Sequence, residues 1–163
     1  MDALYCMPGN AGIASDAVCV DGKATDIDKA VSFSRENKID LVFVAPDDPL
    51  SLGMVDALNA AGIRAFGPVK AAARLEGSKA FSKDFMIRHG IPTARYECFS
   101  DYDKALDYVR KSDFPLVLKA DGLALGKGVL ICKNLEEAED GLKKLMLDRA
   151  FGGLPAPVGD HAR

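Results

Sequence analysis

Two apolar runs, residues 115–118 and 129–132, bracket a loop with three glycines, Gly122, Gly126 and Gly128. Lys119 follows the first run, and Lys127 sits between two of the glycines. Short apolar runs flanked by glycine read as strands, so this segment folds as two strands joined by a loop. Glycine lets backbone N–H groups come close to an anion, and the lysines would neutralise its charge. The spacing fits neither GxxxxGK[ST] nor a GxGxxG that opens a helix, so phosphate capture at a helix N-terminus is not the mode. Spacing alone leaves open a plain hairpin with solvated lysines.

A second signal lies upstream, in residues 76–86, EGSKAFSKDFM. Ser78 is the expected N-cap of a helix over residues 79–89. Phe81, Phe85 and Met86 fall at helical spacing and are expected in the core. Lys79 sits in the first turn, where a cation opposes the helix dipole unless it faces an anion. A solvated surface lysine is the plain alternative. His89, before Gly90, reads as a cation in the last helical turn.

The rest of the chain alternates. Strands are expected at 4–7 and 17–20, a helix at 26–37, and a buried parallel strand at 41–44. One helix is expected over 49–61, capped near Asp48 and stopped by Gly62, and a short strand at 64–66. This order argues a doubly wound α/β lobe, in which ligands sit at the carboxyl ends of strands. The loops at 8–10 and 45–48 lie at such ends. From residue 77 the pattern changes to a strand at 96–99, a helix at 101–111, the glycine-loop hairpin, and a helix at 135–147 with Asn134 as N-cap. Asp47 and Asp48 read equally as helix-starting residues, Asn10 as a turn residue, and Asp121 as an Asx turn.

The strings GSKAFSKDFM, HGIPTA at 89–94 and LVLKADGLALGKGV at 116–129 resemble the glycinamide ribonucleotide synthetase family of ATP-grasp ligases, as do PGNAG at 8–12 and FGP at 66–68. The likeness runs from about residue 4 to about 152. It implies an incomplete Rossmann-like pre-ATP-grasp lobe over 1–76, lacking its first strand, and the first α+β lobe of an ATP-grasp domain over 77–150. It implies ATP-dependent ligation of glycine to 5-phosphoribosylamine in purine synthesis, with ATP and Mg2+. Lys79, Lys119, Asp121, Gly126, Lys127 and Gly128 would bind ATP; Pro8, Gly9, Asn10 and Asp47 would bind substrate. No residue is assigned a catalytic role. Asp47 stands where the family carries a glutamate, Ala45 replaces a glycine, and Asp48 an alanine. The family's GxGGREH start, its adenine-holding hinge and its Glu/Asn magnesium pair find no match. The tail, 151–163, matches nothing and has no hydrophobic period, so it is expected to be disordered.

Composition narrows the classes further. The net charge of −3 gives no basic field for nucleic acid. No apolar run approaches the roughly 18 residues of a membrane helix, and no secretory signal is evident. Cys6, Cys19, Cys98 and Cys132 lie in or near apolar runs without CxxC pairing, so buried reduced thiols and a cytoplasmic compartment are expected. Three further readings stay open: a non-catalytic nucleotide-binding module, another ATP-grasp ligase, and a fragment that does not fold stably.

Overall fold

Among the described residues, four helices begin at a side chain that accepts a hydrogen bond from the backbone N–H three residues on: Asp26 from Lys29, Ser78 from Phe81, Asp101 from Lys104, and Asn134 from Glu137. Each bond satisfies one of the donors a helix start leaves without an intrahelical partner. In the computed structural model, residues 3–122 and 128–148 are described in full and residues 156–160 as backbone. The chain divides into two units, with the boundary between Arg74 and Leu75.

The first unit contains β1 (Tyr5–Cys6), β2 (Val18–Cys19), α1 (Ile27–Glu36), β3 (Val42–Phe43), α2 (Asp47–Leu52), α3 (Met54–Ala60) and β4 (Ala65–Phe66). β1 pairs in parallel with β2, and β3 with β4, as two separate sheets. The single helix expected over 49–61 is two helices. Gly53 has φ +98° and ends α2 in the left-handed region, where an L side chain is strained. α4 (Lys70–Gly77) crosses the unit boundary and has no counterpart among the expected elements. Its first N–H donates to Asp56 Oδ2 at 2.7 Å, an acceptor fourteen residues back in the chain.

Ala30 of α1, Leu50 of α2, Val55 and Leu58 of α3, and Val44 beside β3 form this unit's core. The expectation that 41–44 is buried throughout is corrected here. Side chains alternate across a strand: Val42 packs against the core and Val44 is buried in it, while Leu41 and Phe43 point the other way and are exposed. Phe43 is 65% and Phe66 60% exposed, and their rings stack at 4.8 Å between centroids.

The second unit contains α5 (Lys79–Arg88), β5 (Tyr96–Phe99), α6 (Tyr102–Val109), β6 (Leu116–Lys119), β7 (Val129–Cys132), α7 (Leu135–Leu142) and β8 (Ala156–Asp160). A π-helical turn, Lys143–Leu147, extends α7. The sheet order is β5-β8-β6-β7, with every neighbouring pair antiparallel. Leu116 and Leu118 of β6 are buried against Ala105 and Val109 of α6 and Ala138 and Leu142 of α7. Gly141 lets α7 approach closely, since a Cβ there would lie 2.9 Å from Leu118 Cδ1.

Three further expectations are corrected. Residues 156–160 form a strand between β5 and β6, where a disordered tail is expected from the sequence. Proline within a run argues against a central strand because it has no N–H for the ladder. Pro157 lies opposite Cys98 of β5 and beyond the stretch Val158–Asp160 that pairs with β6, so its missing N–H takes nothing from the ladder to β6. Phe81, Phe85 and Met86 are half-buried, since no residue of α5 is fully enclosed. Of the four free cysteines only Cys132 is buried; Cys19 and Cys98 are exposed.

Candidate functional site

β6 carries Lys119 to its end, and the next residue closes the base of the glycine loop. Ala120 N donates to Gly128 O at 2.7 Å, which joins the two sides of the hairpin. The following carboxylate, Asp121, turns to the start of α5. It accepts from Ser78 Oγ at 3.0 Å on Oδ2 and from Ala80 N at 3.2 Å on Oδ1. Lys79 Nζ donates to Gly122 O at 2.7 Å. The first turn of α5 and residues 121–122 are therefore held together by side chain and backbone alike.

Lys83 follows Lys79 by four residues in α5, which puts the two on one face. Its ammonium donates to Thr93 Oγ1 at 2.6 Å and Ala94 O at 3.1 Å, and lies 5.6 Å from the centre of the Tyr96 ring. Burial, and then the charge of Lys119, lower the Lys83 pKa. Tyr96 donates to Asp84 Oδ1; burial and that bond push the phenol up to about 12. Burial raises the Cys98 thiol, with the charges of Asp121 and Asp84 adding to it.

Among the described residues no carboxylate forms an ion pair with Lys79, Lys83 or Lys119. Three cations gathered with no carboxylate paired to them favour an anionic guest. Of the residues expected to bind ATP, the structure thus brings together Lys79, Lys119, Asp121 and Gly128, and shows Asp121 and the Gly128 carbonyl already engaged within the protein. Gly126 and Lys127 lie outside the described residues. Lys83 was missed by sequence reasoning. Its signal was the helical interval from Lys79, which a surface lysine shows just as readily.

The expected substrate residues all belong to the first unit. Pro8, Gly9 and Asn10 follow β1, and Asp47 opens α2 after β3, both at carboxyl ends of strands. Asn10 Oδ1 accepts from the N–H groups of Gly12 and Ile13, each at 2.9 Å, so the side chain holds its own turn. Gly9 has φ +75°, and a Cβ there would lie 2.4 Å from Cys19 Sγ. Asp47 is exposed in the first turn of α2, which has no side-chain cap, so neither Asp47 nor Asp48 acts as a cap. A carboxylate there still gains from the positive end of the helix.

Among the described residues no group of three or more His, Cys, Asp or Glu side chains could hold a metal ion. Magnesium takes hard oxygen ligands, and these residues offer it no such cage. No helix is long and apolar enough to cross a membrane among them.

The sequence profile of the phosphoribosylglycinamide synthetase N domain matches residues 1–76, and that of the ATP-grasp (A) domain of the same synthetase matches residues 77–158. A phosphoribosylamine–glycine ligase from Pasteurella multocida is 50% identical over 153 residues, which make up 93% of this chain and 36% of that protein. The crystal structure of phosphoribosylamine–glycine ligase from Thermotoga maritima superposes with a TM-score of 0.75 at 29% identity, over 99% of this chain and 38% of that one. The biotin carboxylase domain of the Hydrogenobacter thermophilus 2-oxoglutarate carboxylase, a complex with MgADP and bicarbonate, gives 0.71 at 22% identity, over 90% and 34%. That last likeness is one of fold alone. The chain spans little more than a third of the length of the curated relatives it matches.

Proposed function

The chain belongs to the phosphoribosylglycinamide synthetase family, and on that footing we propose that its residues supply the N domain and part of the ATP-grasp domain of a ligase joining glycine to 5-phosphoribosylamine. In that reaction ATP phosphorylates the glycine carboxylate. The amine then attacks the acyl phosphate, giving glycinamide ribonucleotide, ADP and phosphate. The observation that carries this reading is the gathering of Lys79, Lys83 and Lys119 at the base of the glycine loop with no carboxylate paired to them. Phosphoryl transfer depends chiefly on positioning and on cations that offset developing charge. Lys79 and Lys119 suit both needs. Lys79 would exchange the Gly122 carbonyl for a phosphate oxygen, and Lys119 projects from the end of a strand fixed by a buried core. Lys83, held by Thr93 and Ala94, adds positive field from a fixed position.

When bound, magnesium would supply positive charge that offsets the charge of the phosphates. The described residues offer it no fitting set of ligands, and the chain spans little more than a third of its curated relatives' length, so we place its ligands outside these 163 residues. The 163 residues are accordingly expected to bind ATP without turnover. Titration calorimetry should show ATP binding that Lys119→Ala weakens by about tenfold, in keeping with the loss of one charge-assisted phosphate contact. Chromatographic assay with ATP, glycine and 5-phosphoribosylamine should show no glycinamide ribonucleotide. Product formation by this chain would refute the assignment of magnesium binding to residues outside it, and an unaltered affinity in Lys119→Ala would refute the phosphate site.

A further inference from the structure

We propose that Asp121 is a positioning residue, which sets the separation of Lys79 and Lys119 and ligates neither the nucleotide nor its metal; the proposal rests on the phosphate-site reading above. The contacts have one direction. Ser78 Oγ and Ala80 N on α5 donate to the Asp121 carboxylate, and Lys79 Nζ donates to the carbonyl of Gly122, so donors come from the helix and acceptors from the chain after β6. Ser78 Oγ also accepts from Phe81 N at 3.2 Å, which makes one hydroxyl both the cap of α5 and a ligand of Asp121. Lys79 lies between the two residues that bond Asp121, and Lys119 stands two positions before it. A short carboxylate with both oxygens taken up by the helix start therefore fixes where each lysine leaves the backbone. Lysine is a point charge on a flexible stem and cannot set that spacing itself. The Asp121 carboxylate also lies against the positive end of α5, independently of any ligand.

The alternative role for this acid, as a magnesium or nucleotide ligand, predicts a different dependence on metal. Calorimetry of ATP binding to the 163-residue chain, with and without magnesium chloride, separates the two. Asp121→Ala is expected to weaken ATP binding about tenfold, by the same factor in both conditions, and Ser78→Ala about threefold. The double variant should be no weaker than Asp121→Ala alone, because both substitutions break one clamp. Ser78→Thr, which keeps the hydroxyl, should bind as the wild type does. Melting temperatures identify any variant that fails to fold; if Asp121→Ala does so, Asp121→Asn, of the same shape and with one acceptor left, replaces it. A loss confined to the magnesium condition, additive effects of the two substitutions, or unchanged affinity would each overturn the positioning role alone. Absence of ATP binding by the wild-type chain would instead overturn the phosphate-site reading, and the proposal with it.

Discussion

Gly9 shows how one atom decides a residue. Its φ of +75° is left-handed, and a Cβ would meet Cys19 Sγ at 2.4 Å and Cys19 Cβ at 3.0 Å. Gly9→Ala is expected to cost about 1–3 kcal/mol, from backbone strain and the forced displacement of Cys19. Adding Cys19→Ala removes the sulfur and should recover part of that loss, leaving the backbone contribution; urea denaturation of the single and double variants measures both. The sequence placed this glycine in a loop between a proline and an asparagine at the end of a strand, and it announced Ser78 and Asn134 as caps. It did not announce Lys83. Lysines at helical intervals are common on wetted faces, and only the packing of residues 93–96 against α5 distinguishes this one. Nor did it tell which cysteines are covered. Cys19 lies in a run as apolar as that of Cys132, and Cys98 stands between Glu97 and Phe99, yet both are exposed while Cys132 is buried.

Elements were legible where local chemistry decides them. The strands that flank the glycine loop, the helices that follow Asp26 and Ser78, and the short strands of the first unit all lie where apolar runs and caps put them. Boundaries set by tertiary contacts were not legible. α4 starts where a distant carboxylate, Asp56, accepts its first N–H, and β8 exists because β5 and β6 leave a place between them. The split between α2 and α3 turns on Gly53, an isolated glycine in a helical pattern, which sequence rules tolerate as readily as they break at it. Gly53→Ala tests that split. The nearest side-chain atom, Lys70 Cδ, would lie an ordinary 3.4 Å from the new Cβ, so the backbone alone resists. The expected loss is about 1–2 kcal/mol by thermal melting. A gain in stability would mean that α2 and α3 can run on as one helix.

At the scale of the molecule, each unit has its own buried cluster. The first unit also displays Leu41, Phe43, Phe66 and Val18 on its surface. Exposed apolar groups next to short parallel pairs invite association, and a net charge of −3 supplies little repulsion to oppose it. Phe43→Lys is expected to lower self-association measured by light scattering at rising concentration. Stability should change by less than about 1.5 kcal/mol, because only the stack on Phe66 is given up. Unchanged association would exonerate this surface.

The order of strands in the second unit also has a bearing on how the protein is made. β5 pairs with β8, which is translated after two further helices and a hairpin have emerged. A chain growing on the ribosome can assemble β6, β7 and the helices on them early, since those contacts are close in sequence. β5 must wait, its N–H and C=O groups facing water or a chaperone, until residue 160 has left the exit tunnel. The sheet is thus completed from the middle, last of all, and a stalled or prematurely released chain would carry an open strand for as long as the delay lasts.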